Sequence, residues 1–394
     1  MKKSPLNPPI KKEYFFFRNL LATLFLGVCL FCPFEETTLL AQESAKQDQS
    51  VPPPFGFNPC IRILSIDGGG VRGIIPAHVL EKIEKETGQP ISRLFDFISG
   101  TSTGAVISLA LTKPTEGHSE KPQFSAKDLV GFYERDSQDL FPPQSAKMEE
   151  ESFITSTKYS PDPPLHIFKQ TFGKTKLERS LIPVIVPTYN IKDKRPFFFK
   201  SWSKSTNKYT MSEVAGAAVA APGYFPPAHL PANGQTSGKK QTLVLVDGGV
   251  FANNPTRYAM ENSYQMGNIR KGIFLLSLGT GKTSHKHPEQ SVSHWEEAQW
   301  TTPLKKLLFS DPPEKSGDPA DSSPQPSAQV TLRMEPVIPA QNAAMDNASP
   351  QNLMDLKNIS EQMLNQDQQN FRRIVQILEK QRPAGCFRAG NAPS

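Results

Sequence analysis

Runs of consecutive apolar residues, more than strict alternation, organise the middle of this chain. Ile61 to Ile66 is β-rich and stops at a cluster of glycines, after which Ile74 to Glu86 places apolar positions at helical spacing. Residues 93–98 form a second candidate strand, which runs through another glycine-bounded turn into Ala105 to Leu111, a helix of small residues. Residues 181–186, 243–246 and 273–278 complete the apolar runs. Strands without alternation are covered on both faces, and their exchange with helices predicts a three-layer α/β/α fold around a mainly parallel sheet. Farther on, Leu353, Leu356, Ile359, Met363 and Leu364 recur at helical spacing, continued by Phe371, Ile374, Val375 and Leu378. These predict C-terminal helices packed on the core.

The ends of the 394-residue chain read differently. Two lysine pairs precede an aromatic run and the apolar stretch Leu20 to Cys32, closed by Pro33. That stretch is short for a membrane span, which takes roughly 20 apolar residues, and suits a signal-peptide core. Residues 1–41 are therefore expected to be a leader and 42–59, rich in proline, a linker. The catalytic part is expected over 60–285, and 286–394 as an extension holding a disordered Pro/Ser-rich loop and helices. An uncleaved N-terminal anchor is the alternative. Formal net charge is +6, with five basic residues against three acidic in the first 41. So mild a surplus suits an anionic lipid surface but does not require one, and nothing points to nucleic acid.

Cys29 and Cys32 fall in the leader, which leaves Cys60 and Cys386 as a candidate disulfide in an oxidising compartment. No cysteine or histidine spacing suggests a metal site, and no cofactor is expected.

Three motifs carry chemistry. Asp67-Gly-Gly-Gly-Val-Arg-Gly73 lies between a strand and a helix. Its backbone N–H groups at Gly68, Gly69 and Gly70 can receive negative charge, as an acyl-transfer oxyanion needs. The same glycines fit a dinucleotide-binding loop, with Asp96 as the nearest acidic residue on the next strand. Gly100-Thr-Ser102-Thr-Gly104 matches Gly-x-Ser-x-Gly at a strand-to-helix junction, where flanking glycines permit the sharp turn that exposes a nucleophilic hydroxyl. Asp247-Gly248-Gly249 ends a strand, and an aspartate there must be poised by its surroundings to act as a base.

The three motifs in this order, with Ala220-Ala-Pro-Gly-Tyr-Phe225 between the second and third, resemble the patatin-like phospholipase family, in an exported, bacterial-type form. Asn253-Asn-Pro255 and residues 276–281 look like that family too, and residues 332–336 do so more faintly. The resemblance implies a lipid acyl hydrolase working on membrane- or micelle-borne esters through a Ser102–Asp247 dyad. It also implies an oxyanion hole at Gly68 to Gly70 and a loop supported by Arg72 and Gly73. Competing readings are a Ser-His-Asp triad drawing on His285, His287 or His294, a non-catalytic lipid-binding module of the same fold, and a nucleotide-dependent oxidoreductase. The leader expectation is checked by N-terminal sequencing of the mature protein. It should begin near Gln42, and intact Met1 in the membrane fraction would favour the anchor.

Overall fold

The computed structural model describes residues 57–142, 157–232, 241–264, 272–283, 329–384 and 386. The leader, the Pro/Ser-rich loop and the three candidate triad histidines lie outside the described residues.

The main sheet runs in the order β11-β9-β1-β2-β5-β8-β7, with β6 pairing the free edge of β5. Its parallel half comprises β1 (Ile61–Ile66), β2 (Phe97–Gly100), the first residues of β5 (Val184–Asn190), β9 (Ile273–Leu278) and β11 (Gln329–Met334). Both β1 and β9 are buried along their whole length, as expected of unbroken apolar strands covered on two faces. The other half is antiparallel: β6 (Arg195–Lys200), β7 (Ala228–Pro231) and β8 (Thr242–Asp247). Short pairs β3 (Pro114–Thr115) with β4 (His118–Pro122), and β10 (Lys282–Thr283) with β12 (Val337–Ile338), lie off the sheet.

One face carries most of the core, packed under α1 (Ile74–Thr87), α3 (Thr103–Thr112), α4 (Ala126–Leu140), α5 (Asp162–Phe172) and α6 (Met211–Ala218). A single turn, α2 (Ile91–Leu94), precedes β2. The opposite face holds a smaller cluster, in which Ala259 and Met260 cover Ile61, Ile63, Phe97, Ile185, Ile273 and Leu275. Those two residues belong to α8 (Thr256–Ser263), which follows the single turn α7 (Gly249–Ala252). The layers are thus α/β/α, but unequal.

Two boundaries differ from the sequence reading. Residues 93–98 are not one strand, because Arg93 and Leu94 close the α2 turn and pairing starts only at Phe97. The main sheet also does not end at 285. Residues 329–334, expected in a peripheral extension, pair in parallel with β9 over six residues. Their alternating burial is that of an edge strand, which a search for continuous apolar runs passes over. The C-terminal helices are two, α9 (Pro350–Gln366) and α10 (Gln368–Glu379), meeting at Asp367 and packing on α1.

The tail beyond α10 is tied to the strand starts. Arg62 donates to the carbonyls of Leu378 and Lys380 at 2.6 Å each, and Arg382 pairs with the buried carboxylate of Asp96. Cys60 and Cys386 are bonded, with Cα atoms 5.0 Å apart. Asp96 therefore serves the fold. It stands at the N-terminal end of β2, whereas the glycine loop follows the C-terminal end of the parallel β1, so it cannot complete a dinucleotide site with that loop.

Candidate active site

The register of β5 brings the serine and aspartate motifs together. β6 occupies one edge of β5 along residues 185–190, so β2 and β8 must share the other. On that edge Ser99 of β2 faces Ile185, while Asp247 of β8, running the opposite way, faces Thr188. Two strands of opposite direction thus arrive end to end, and each delivers its motif into the gap between them.

At the end of β2 the chain turns sharply. Ser102 has φ 53° and ψ −121°, a left-handed backbone that an L-residue adopts only when its surroundings impose it, at a cost on the order of 1–3 kcal/mol. The glycines flanking it make the turn possible by close approach. A Cβ on Gly100 would strike the carbonyl of Gly104, and one on Gly104 the carbonyl of Ile66. The helix that follows, α3, is buried at all ten positions, and its small residues allow that. Its N-terminal end, with the positive pole of the helix dipole, opens at Ser102.

Asp247 is 1% exposed. Its N–H is taken by the carbonyl of Ala220 at 3.0 Å, and its Oδ1 accepts the N–H of Gly249 at 2.8 Å. Gly248 has no room for a side chain, since a Cβ would meet the carbonyl of Pro187. The Ser102 side chain lies close enough to favour the ionised carboxyl, and Oδ2 is buried without a hydrogen-bond partner. Burial pushes the carboxyl from 3.8 to about 7, against the smaller lowering by Ser102 and the Gly249 amide. An aspartate so placed is a usable base near neutral pH.

The glycine loop stands beside this pair and is held from several sides. Asp67, 2% exposed, is gripped by both Nη atoms of Arg333 at 2.6 and 3.4 Å. Thr280 Oγ1 donates to the Gly68 carbonyl at 2.6 Å, and the N–H of Val71 reaches the Met345 carbonyl at 2.8 Å. Gly70, at φ +59°, has that same carbonyl where a Cβ would be, while a Cβ on Gly73 would strike the Tyr133 and Thr103 hydroxyls. Arg72 lies behind the loop and donates to the carbonyls of Gly69 at 3.3 Å and Gly281 at 3.5 Å. One expectation needs correction here. The N–H of Gly68 is already given to the carbonyl of Asn253 at 3.1 Å, so it is not available to an oxyanion. Among the described residues neither Gly69 nor Gly70 gives its N–H to a protein acceptor, and both border the same cavity as Ser102, Thr103 and Asp247.

That cavity is partly open to solvent. Its walls are largely apolar, with Val106 on α3, Leu140 on α4, Phe168 on α5, and Phe141 tilted against Phe225 at 5.8 Å between ring centroids. Among the described residues no histidine borders it, and no three His, Cys, Asp or Glu side chains come together as a metal site would require.

Sequence reasoning missed the Arg333–Asp67 pair, the Thr280 contact and the apolar wall. For Arg333 the available signal was the faint likeness over residues 332–336. The wall had none, because its residues come from five separate segments.

The serine elbow and the buried aspartate, with the glycine loop beside them, thus sit on a mainly parallel sheet between helices. The chain belongs to the patatin-like phospholipase family, whose model matches residues 64–260. It is 30% identical to Patatin-like protein 1 of Arabidopsis thaliana over 82% of this chain and 85% of that one. It is 31% identical to a Solanum tuberosum protein named Probable inactive patatin-3-Kuras 1, over 63% of this chain and 70% of that one. Human GIVD cytosolic phospholipase A2 aligns over 80% of this chain and 60% of its own, at 12% identity and a TM-score of 0.42, too distant to support more.

The raised pKa of Asp247 has a consequence for stability. Below about pH 4 the carboxyl is protonated in both folded and unfolded chains, and the fold bears no penalty. As pH rises toward 7 the unfolded chain ionises and the folded one resists, so stability is lost through that window. Asp247→Asn removes the penalty. It should be more stable than the parent at pH 8, by on the order of a few kcal/mol, with the gain shrinking toward pH 4. Denaturant titration at the two pH values checks this, and an equal difference at both would contradict the burial of the charge.

Proposed function

We propose that this protein hydrolyses the acyl ester bonds of lipids through Ser102 and Asp247. Membership of the patatin-like phospholipase family supports lipid acyl hydrolysis. The observation that carries the mechanism is the Ser102 elbow beside a buried carboxyl whose pKa is raised to about 7, both opening on an apolar cavity.

In this reading an acyl chain occupies the apolar cavity and its ester carbonyl lies over Ser102. The ionised Asp247 takes the hydroxyl proton as Oγ attacks the carbonyl carbon. The charge that develops on the carbonyl oxygen is met by the N–H groups of Gly69 and Gly70 and by the positive end of α3. Collapse of the adduct breaks the bond to the alcohol, which leaves with the proton from Asp247. Water then attacks the acyl-enzyme with Asp247 again as base, releasing the fatty acid and restoring Ser102. Arg72, Arg333 and Thr280 take no part in proton transfer in this scheme; they keep the glycine loop where the oxyanion forms. The basic and then apolar N-terminus supports a companion proposal, that the enzyme is exported and meets its substrate at a membrane or micelle surface.

A relative named as probably inactive makes the direct test necessary. Ser102→Ala and Asp247→Asn should each lower turnover of a phospholipid or p-nitrophenyl ester by several orders of magnitude while the protein stays folded. Because the two act as a unit, the double variant should be little worse than either. Replacing His285, His287 and His294 together by Ala should leave most activity, whereas loss of a triad base costs roughly 10⁴-fold. A folded triple-histidine variant as inactive as Ser102→Ala would overturn the dyad.

A further inference from the structure

One polar atom in the acyl cavity is unaccounted for by hydrolysis. The face of α4 that borders the cavity carries Tyr133, Ser137 and Leu140, the i, i+4 and i+7 positions of a single helical stripe, and Phe141 follows at the helix end. Three of the four suit a hydrocarbon chain, and the Tyr133 hydroxyl is already engaged by Thr103, the residue after the nucleophile. Ser137 breaks the stripe. It is 1% exposed, and its Oγ has no hydrogen-bond partner. A serine inside a helix usually turns its hydroxyl back to the carbonyl of the preceding turn, and this one does not.

A buried hydroxyl without a partner is costly, and an unsubstituted acyl chain lying against it would leave that cost in place. A chain bearing an oxygen at that depth would remove it, since a serine hydroxyl can both donate and accept. The depth follows from the helix. Tyr133 reaches the nucleophile's neighbour, and Ser137 lies about one turn, roughly 5.4 Å, farther along α4, so its oxygen meets the chain away from the ester and not at the carbonyl. Val106, Phe168 and Leu140, which line the same cavity, carry no polar side-chain group.

We propose that Ser137 forms a subsite for an oxygenated acyl chain, and that the enzyme selects lipid esters whose chain carries a hydroxyl, hydroperoxyl or keto group over their unsubstituted counterparts. This inference rests on the acyl-hydrolase reading above and names its substrate class. A site built to pair a substrate oxygen discriminates against the analogue lacking it, because the protein group is then left unpaired.

The test compares p-nitrophenyl octadecanoate with a set of monohydroxyoctadecanoyl esters in which the hydroxyl is moved along the chain. Parent, Ser137→Ala, Ser137→Val and Ser102→Ala are assayed in parallel, and melting temperatures confirm folding. Alanine is a strong helix former, and valine fills the space without an oxygen, so either variant carries the comparison if the other fails to fold. The parent should favour one hydroxyl position by about tenfold in kcat/KM, equivalent to about 1.4 kcal/mol, and both Ser137 variants should bring that ratio to about one. Equal rates across the set in the parent, or a preference that survives in the variants, would overturn the subsite while leaving ester hydrolysis intact. Parent activity no higher than that of Ser102→Ala on every ester would overturn the hydrolase reading and this inference with it.

Discussion

The whole site depends on the burial of one carboxyl. Asp247 sits where β8 meets the end of β2 along a shared edge of β5, and almost none of it reaches water. In water an aspartate is too weak a base to take a serine proton near neutral pH. Dry surroundings, with only one firm hydrogen bond from the Gly249 amide, raise its affinity for a proton to the range where exchange is easy. The same burial is a standing cost to the fold, and so is the left-handed backbone of Ser102. Both are sustained by the apolar strands and the fully buried α3 around them.

From that constraint the role of the distant C-terminal strand follows. A glycine loop with few side chains cannot hold its own shape, so it is held from outside. Arg333 on β11 grips Asp67 at the start of the loop, Thr280 after β9 takes the Gly68 carbonyl, and Met345 takes the Val71 amide. Among the described residues the N–H groups of Gly69 and Gly70 have no protein acceptor, and both residues border the cavity. Residues about 270 positions beyond the loop in sequence therefore help to shape it, which is why the sheet cannot be divided at residue 285.

Much of this was legible in the chain itself, in uneven degree. Strand β1 and the glycine-bounded turns at Ser102 and Asp247 could be read because each rests on local requirements, apolar runs for buried strands and glycine where a Cβ has no room. The parallel core was legible for the same reason. Strands β6 and β11 were not. β6 begins with Arg195 and Pro196, and β11 alternates polar and apolar residues, so neither shows an unbroken apolar run. Among the loop glycines the sequence could not tell Gly68 from its neighbours. Its amide is committed only because Asn253 arrives from the far side of β8, a tertiary fact with no local trace. The position of Ser137 in the cavity is hidden in the same way, since a lone serine in an amphipathic helix reads as part of the polar face.

The most direct measurement is the pH dependence of kcat/KM for a soluble ester, made on the variant in which His285, His287 and His294 are alanine. With those imidazoles gone, the account predicts that activity still rises with pH through an apparent pKa of about 7, as Asp247 loses its proton. An acid limb near pH 4, where an exposed aspartate titrates, would contradict the claim that burial is what makes Asp247 a base.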